Sequence, residues 1–245
     1  MDKLFKFDPH THTSETSKCG HLLGADLVDR YHAAGYDGIV ITDHLHDEYI
    51  SSLYCKDDWD ACIDQFLQGY RRAKRRGEEL GLNVILGIEI RFTEPNDSDY
   101  LIYGIDEQFL RANPYMYRST PQEFFQRFGD EVFIIAAHPF RGGNETVFTE
   151  ALHGIEVFNS NPRHNNHNDK ALALCESIAD FYPLCGSDAH RDEDVAGAWM
   201  LFDEHITDSY EFVAAIKRRK YSLGHEEREP LSAIAKICSK LKRKP

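Results

Sequence analysis

The sequence predicts an α/β protein in which helices cover a parallel sheet. Apolar strand-like runs alternate with amphipathic helical segments along almost all of the 245 residues, a pattern typical of parallel sheets with helices outside. The strand-like runs are continuously apolar, as expected for strands that are buried on both faces. Histidines or carboxylates directly follow most of these runs. In a closed barrel the carboxyl ends of the strands gather on one face, so these side chains are expected to meet there.

The individual elements follow from short β-branched runs and from helical periodicity. Strands are predicted at residues 5–9, 38–42, 84–90, 101–105, 132–136, 155–158, 183–185 and 221–223. Helices are predicted at residues 25–34, 58–79, 121–128, 169–179 and 208–219. Gly35 is expected to end the first helix, and Thr120 to cap the third. The arginines of the long second helix are predicted to form a solvated face rather than a binding patch.

Composition and charge exclude several classes of protein. The formal net charge of −13 argues against a long nucleic acid as partner, because phosphate backbones require a basic surface. No run of roughly 18 apolar residues could span a membrane, and the N-terminus lacks the features of a signal peptide. We therefore expect a cytoplasmic protein. The six cysteines form no C-x-x-C pair and are expected to be reduced thiols.

One domain is expected to occupy residues 1–225, followed by a basic tail or helix over residues 226–245. A length of 245 residues is compatible with one α/β-barrel domain or with two small domains. The sequence leaves the oligomeric state open.

Ligand-type side chains are paired at two distant places in the chain. His10 and His12 are two residues apart, as are Asp188 and His190. Residues i and i+2 of an extended strand project to the same face, so each pair can bind one cation or reach two neighbouring ones. Between these pairs, three further ligand-type residues follow apolar runs, namely His44, Glu89 and His138.

Mixed imidazole and carboxylate ligands suit zinc, manganese or iron better than calcium or magnesium. There are more of these side chains than one tetrahedral ion can use, and a carboxylate such as Glu89 can bridge two ions. Two ions about 3.5–4 Å apart activate water and stabilise both oxygens of an in-line displacement, so a phosphate ester is the expected substrate. Cationic side chains that could hold its phosphoryl group are Lys18, Arg91, Arg141, Arg163 and His164.

Five motifs together resemble those of the PHP family, named for polymerase and histidinol phosphatase. They are Asp8-Pro9-His10-Thr11-His12, Ile41-Thr42-Asp43-His44, Gly87-Ile88-Glu89, Ala137-His138-Pro139 and Gly186-Ser187-Asp188-Ala189-His190. The similarity extends over residues 7–224. It implies a distorted seven-stranded (β/α) barrel with a trinuclear metal site at the carboxyl ends of its strands, and hydrolysis of phosphoesters.

The resemblance also implies how the ligands are shared among two or three divalent ions of zinc, manganese or iron. The first ion would take His10, His12, Glu89 and Asp188; the second would share Glu89 and add His138; the third would take His44 and His190. In this scheme Glu89, Asp188 and His190 are the catalytic residues. The leaving group would be protonated by water, or by Asp188 or His190.

Two positions depart from the commoner family pattern. Where the second ion often has another histidine this chain has Asp99, which we expect to substitute for it, with Asp97 as the next choice. The first loop usually supplies Asp or His to the third ion. Here we choose Glu15 as its ligand, with Cys19 and His21 as alternatives.

The leading hypothesis is a metal-dependent phosphoesterase that hydrolyses a small phosphomonoester through a metal-activated hydroxide. Its substrate would resemble histidinol phosphate, a sugar phosphate or a nucleotide. One alternative is a nuclease or a nucleoside-bisphosphate phosphatase of the same family. Another is a metal-binding regulatory module without catalytic activity.

Overall fold

The computed structural model describes residues 3–53, 55, 57–93 and 98–226, which form a mixed α/β fold. The strands are β1 Phe5–Thr11, β2 Gly38–Ile41, β3 His44–Leu45, β4 Asn83–Leu86, β5 Ile88–Arg91, β6 Asp99–Tyr103, β7 Phe133–Ala136, β8 Gly154–Asn159, β9 Tyr182–Gly186, β10 Ala198–Phe202 and β11 Tyr221–His225. The helices are α1 Gly24–Ala33, α2 Asp47–Ser51, α3 Trp59–Phe66, α4 Gln68–Leu80, α5 Glu107–Ala112, α6 Pro121–Phe128, α7 Asn168–Ser177 and α8 Ser209–Lys217. Apart from Glu226, the predicted tail at 226–245 lies outside the described residues.

The strands form a five-stranded sheet in the order β11-β10-β1-β2-β4 and a six-stranded sheet in the order β3-β5-β6-β7-β8-β9. The predicted parallel sheet is found only in part: five pairs of the described strands are parallel, but β6 is antiparallel to both β5 and β7, and β10 is antiparallel to both β1 and β11. Only residues 92–98 connect β5 to β6. That connection is too short for the helical crossover that a parallel pair requires, so the chain returns as a hairpin.

Backbone hydrogen bonds connect the two sheets at two places. At one, Gly87 donates its N–H to the carbonyl of Ile41 and Glu89 donates to Asp43, at 2.9 and 3.1 Å. These bonds continue the β2–β4 pairing into the β3–β5 pairing. At the other, Asp188 donates to His10 and His12 donates to Ala189, at 2.9 and 3.0 Å. The carboxyl end of β1 therefore lies beside the carboxyl end of β9.

The predicted helix at 58–79 is two helices, α3 and α4, which meet at Leu67. Asp58 caps α3 by accepting the N–H of Ala61, and Gly81 ends α4 with a φ of +75°, a conformation that glycine adopts without steric cost. The arginines of α4 lie on a partly or fully exposed face, in agreement with the predicted solvated face, and Arg71, Arg72 and Arg76 form ion pairs there. Arg71 pairs with Glu107, for example, at 2.6 Å. Exposed pairs of this kind contribute little stability individually.

The arrangement of strands determines where the functional side chains lie. His10 lies near the carboxyl end of β1, His44 begins β3 just after the end of β2, and Glu89 lies in β5, which follows directly on β4. Asp99 begins β6, but β6 is antiparallel, so its amino end lies at the same edge, with Asp99 opposite Arg91. The residues predicted to follow strand ends therefore share one edge of the fold.

None of the helices within the described part of the chain is both long and apolar enough to cross a lipid bilayer.

Candidate metal centre

Four buried side chains converge on one small space between β1, β5 and the end of β9. They are His10, His12, Glu89 and Asp188, each at most 1% exposed. The Nε2 atoms of the two histidines are 3.1 Å apart. Asp188 Oδ1 lies 3.4 Å from the first of these nitrogens and 3.2 Å from the second. Glu89 oxygens lie 3.5 and 3.2 Å from the same two atoms.

These separations match the geometry of a bound cation. A tetrahedral ion with ligand bonds of about 2.0–2.1 Å places its ligand atoms roughly 3.3 Å apart. The carboxylate oxygens Glu89 Oε2 and Asp188 Oδ1 are also buried without a hydrogen-bond partner in the described structure. Buried carboxylate oxygens normally find a donor or a metal. The donor set therefore fits a divalent cation, and we call these four residues the inner cluster.

Glu89 contacts histidines on both sides of the inner cluster. Its Oε1 lies 3.0 Å from Nε2 of His138, and its Oε2 lies 3.0 Å from Nδ1 of His44. His44, Glu89 and Asp99 also form a group of potential ligands whose donor atoms lie within 4.8 Å of one another. A single carboxylate thus reaches histidines in two directions, as a ligand that bridges neighbouring cations must.

A second group of histidines surrounds the ring of His12. The His190 and His44 rings both stack against it, with centroid distances of 4.2 and 4.5 Å, and the centroids of these two rings are 5.9 Å apart. These three residues form a further potential ligand group. The Sγ atom of Cys19 lies 3.0 Å from Nε2 of His190.

Two residues of the site have unusual backbone conformations. His138 and Asp188 have φ angles of +29° and +53°, although neither is glycine. Such conformations cost of the order of 1–3 kcal/mol each and tend to cluster at functional sites. His138 also precedes a proline, which restricts its backbone further.

Glu156 or Asn159 was expected at the end of a strand on the face of the site, but neither was assigned a role; the structure shows that Glu156 orients two site residues. Its Oε1 lies 2.9 Å from Nδ1 of His10, and its Oε2 accepts the backbone N–H of His138 at 2.8 Å. A carboxylate on the ring nitrogen opposite a metal fixes the histidine tautomer and its orientation. The sequence feature that could have indicated this role is an acidic residue within the mostly apolar strand β8.

Two buried aspartates hold the loops that carry the histidines. Asp8 accepts the backbone N–H groups of His10 and Ser187, both at 3.1 Å, and the hydroxyl of Tyr31 at 2.7 Å. Burial raises the pKa of Asp8 to about 6, although these hydrogen bonds act in the opposite direction. Asp43 accepts hydrogen bonds from Thr13 and Ser17 in the first loop.

The predicted phosphate-binding residues lie in different surroundings. Arg141 is adjacent to the inner cluster: its Nη2 donates to Asp188 Oδ2 at 2.6 Å and to Asn159 at 3.0 Å. Arg91 forms two hydrogen bonds of 2.8 Å to Asp99. Lys18 is exposed and lines a cavity with Cys19 and His44.

Arg163 and His164 do not join this group. Arg163 pairs with the buried carboxylate of Asp194, whose other oxygen accepts the backbone N–H of His190 at 2.9 Å. It therefore supports the loop of His190 instead of facing the inner cluster. His164 is exposed and lines a separate cavity that includes Asn161 and His167.

The structure places Glu15, our choice for the first loop, away from the histidines. Its oxygens accept the backbone N–H of Gly24 at 3.0 and 3.2 Å, and Arg72 pairs with it at 3.4 Å. The expectation that Glu15 completes the third site is therefore wrong for this geometry. Cys19 occupies that position instead. Asp97, the second choice after Asp99, lies outside the described residues.

The charges of the site depend on one another. Burial alone would lower the pKa of His10, but Glu156, Asp188 and Glu89 outweigh burial and raise that pKa well above its usual value. Burial would also lower the pKa values of His44 and His190. Glu89 nevertheless raises the pKa of His44, and Cys19 and Asp188 raise that of His190.

Metal binding is expected to release protons near neutral pH. Histidines with raised pKa values are protonated in the metal-free protein, whereas a metal requires neutral imidazole. Zinc affinity should therefore fall as pH falls from 8 to about 6. Calorimetric titrations in buffers of different ionisation enthalpy measure the release. An observed heat that is independent of the buffer would contradict this prediction.

Gly186 lies where the inner cluster leaves no room for a side chain. A Cβ atom there would approach His10 Cβ to 2.5 Å and Glu156 Oε1 to 2.9 Å. We expect Gly186→Ala to displace His10 and to weaken metal binding at least about tenfold, as loss of a supporting contact does. Gly35→Ala changes a glycine at a positive φ with no atom nearby. It should lower stability while leaving metal affinity unchanged, and equal metal affinities for the two variants would contradict the prediction.

Comparison with known proteins connects this geometry to a family. A family model described as PHP-associated matches residues 165–221. No curated protein is significantly similar to the chain.

Several solved structures have a similar fold. A two-domain protein from Bacteroides vulgatus containing a predicted PHP-like metal-dependent phosphoesterase has a TM-score of 0.66 at 19% identity. The similarity covers 92% of this chain and 66% of that one, so this chain spans just under two thirds of its length. PsfC from Pseudomonas syringae has a TM-score of 0.63 at 16% identity, with 99% of both chains covered. A protein from Bifidobacterium adolescentis, provisionally described as a metal-dependent phosphoesterase, has a TM-score of 0.53 at 16% identity, with 86% of this chain and 96% of that one covered.

The family match and these structures confirm the resemblance found in the sequence. Residues 165–221 match a PHP-associated family model, and the chain's structural neighbours include proteins described as PHP-like metal-dependent phosphoesterases.

Proposed function

We propose that this protein is a metal-dependent phosphoesterase, a hydrolase that acts on a small phosphomonoester. The inner cluster carries the proposal. It brings two imidazole nitrogens and two carboxylates to the spacing of a metal's ligands, and it leaves two buried carboxylate oxygens without a hydrogen-bond partner among the residues that the structure describes. Such a donor set is suited to zinc, manganese or iron.

We infer two or three cations, distributed as the resemblance implies. His10, His12, Glu89 and Asp188 would hold the first. Glu89, His138 and Asp99 would hold the second. To bind that ion, Asp99 would have to give up its hydrogen bonds with Arg91. His44 and His190 belong to the third. When bound, the cations supply Lewis acidity, which lowers the pKa of water and neutralises phosphoryl charge.

Protein groups then bind and orient the substrate. Arg141 donates from Nε and Nη2 to Asn166, Asn159 and Asp188, and its Nη1 can donate to a phosphoryl oxygen beside the inner cluster. Arg91 lines two cavities, of 430 and 280 Å³, on either side of the site. Asp188 and His190 remain the candidates for protonating the leaving oxygen.

The size of these cavities and the net charge favour a small substrate. Arg91 and Arg141 both line the larger cavity, whereas the formal net charge of −13 disfavours a long polyanion. A sugar phosphate, histidinol phosphate or a nucleotide fits this description. A nucleoside bisphosphate is the second candidate, because two arginines in one cavity could hold a second phosphate.

We also infer that the two sheets together are the expected distorted seven-stranded barrel. Hydrogen bonds join β2 and β4 to β3 and β5 on one side, and β1 to the end of β9 on the other. In such a barrel β2 and β3 form one continuous strand, and β4 and β5 form another. It leaves β10 and β11 as additions beside β1.

Phosphate release tests the proposed function. The purified protein is loaded with Zn²⁺ or Mn²⁺ and assayed with histidinol phosphate, sugar phosphates, nucleotides, a nucleoside bisphosphate and single-stranded oligonucleotides. We expect metal-dependent release from a small phosphomonoester and its loss in His12→Ala. Cleavage of oligonucleotides alone would favour a nuclease. Bound metal without turnover of any compound would favour a regulatory module.

A further inference from the structure

We propose that Cys19 provides a thiolate ligand to the third cation site, which it forms with His44 and His190. This inference rests on the proposed metal centre, and it concerns a residue that replaces the usual Asp or His of this loop. We call Cys19, His44 and His190 the outer site.

The outer site is defined by a shared cavity and a direct contact. Cys19 and His44 line the same cavity, and the His44 and His190 ring centroids are 5.9 Å apart. Cys19 Sγ lies 3.0 Å from Nε2 of His190. A tetrahedral zinc with bonds of about 2.3 Å to sulfur and 2.0 Å to nitrogen holds these atoms roughly 3.5 Å apart. Binding a cation therefore requires the thiol and the imidazole to separate by about half an ångström, with release of the thiol proton to solvent.

The other candidates in the first loop do not reach this position. Glu15 is engaged by Gly24 and Arg72. His21 is exposed and contacts His190 only through a backbone hydrogen bond of 2.7 Å among the contacts described. Cys19 is thus the ligand-type side chain of the described loop that faces the two histidines.

The loop holds Cys19 in a fixed position. Thr13 accepts the N–H of Ser17, and Ser17 accepts that of Gly20 at 2.8 Å. A Cβ atom on Gly20 would approach the backbone of Thr13 to 2.9 Å. Asp43 anchors the loop by accepting the hydroxyls of Thr13 and Ser17, at 2.6 and 2.8 Å. The thiol is therefore presented to the histidines by a tight, anchored turn.

The outer site is also open on one side. Cys19, His44 and His46 line the 280 Å³ cavity, together with Lys18. Water or a substrate oxygen could complete the coordination from that cavity. A soft thiolate favours zinc over manganese or magnesium, so the outer site is expected to prefer a thiophilic ion.

Cobalt substitution tests the proposal, because thiolate bound to Co²⁺ gives a near-ultraviolet charge-transfer band that oxygen and nitrogen ligands do not give. The metal-free full-length protein is titrated with Co²⁺ and its spectrum is recorded. The band is expected in the wild type and in Glu15→Gln, and it should be lost completely in Cys19→Ser. Cys55→Ser is the matched control, since Cys55 is partly buried elsewhere, and it should retain the band.

Alkylation provides a second readout. Bound Zn²⁺ should slow the reaction of Cys19 with iodoacetamide at least about tenfold, because the free thiolate is the nucleophile. Cys19→Asp should bind as many ions as the wild type but show no band. A band that persists in Cys19→Ser, or a wild type that binds cobalt without it, would overturn the proposal.

The outcome is separable from that of the proposed function. A thiolate band in a protein without phosphatase activity would support the role of Cys19 and count against the function. Phosphatase activity without the band would support the function and count against the role of Cys19. Failure of the wild type to bind cobalt at all would overturn both.

Discussion

Glu89→Gln is expected to lower kcat/KM for the phosphomonoester substrate by about a thousandfold, equivalent to roughly 4 kcal/mol. The carboxylate lies between His138 and His44, at 3.0 Å from each, and also contacts His10 and His12. Glutamine keeps the size of the side chain, but it removes the negative charge and replaces one oxygen with a nitrogen that cannot bind a cation. Steady-state phosphate release and elemental analysis of the same preparations measure the two effects.

The metal-free form of this variant should be less stable than that of the wild type. Without a cation, burial alone would raise the pKa of the Glu89 carboxyl, but His44 and His10 hold that pKa well below its usual value. Removing one partner of such a buried pair leaves the other charges uncompensated and is destabilising. Glu107→Gln, which changes a surface carboxylate paired with Arg71, is the control and should retain full activity. Wild-type metal content and activity in Glu89→Gln would contradict the assignment.

Arg141→Ala is expected to reduce kcat about a hundredfold, the usual effect of removing one donor that stabilises developing charge. The guanidinium lies against Asp188 at 2.6 Å and is held by Asn159 and Asn166. It is therefore already oriented beside the inner cluster. Arg141→Lys should recover only part of the activity, because an ammonium cannot keep the contacts of the guanidinium with Asn159, Asn166 and Asp188 while also reaching the substrate. Steady-state kinetics of both variants measure this.

A matched control separates substrate binding from general loss of charge. Arg118 forms an exposed ion pair with Asp47 at 3.0 Å, so Arg118→Ala removes the same charge at the surface and should leave kcat unchanged. Metal content should be unchanged in both alanine variants. An Arg141→Ala enzyme with normal kcat and KM would show that this arginine only neutralises Asp188.

The motifs in the sequence were sufficient to predict that the four residues of the inner cluster lie together. His10 and His12, two residues apart on β1, must project to one face whatever the rest of the chain does. The positions of Glu89 and Asp188 followed from the tendency of strand ends to share an edge. These inferences need only local pattern and general topology.

Other features depended on contacts that a pattern does not contain. Glu156 supports His10 from 146 residues away, and only the folded chain shows that contact. The choice between Glu15 and Cys19 depends on side-chain direction within one tight loop. The strand β10 is a five-residue apolar run, too short for periodicity to distinguish a strand from a buried helix segment. The short connection before β6 could have predicted its antiparallel direction. The alternation of strands and helices along the chain favoured a parallel sheet instead.

Anomalous diffraction from crystals grown with Zn²⁺ tests the central claim most directly. We expect a strong anomalous peak inside the inner cluster, at about 2.0–2.2 Å from the ligand atoms of His10, His12, Glu89 and Asp188. Data collected on both sides of the zinc absorption edge identify the element. Crystals of the zinc-soaked protein with these side chains ordered and no anomalous peak among them would contradict the account.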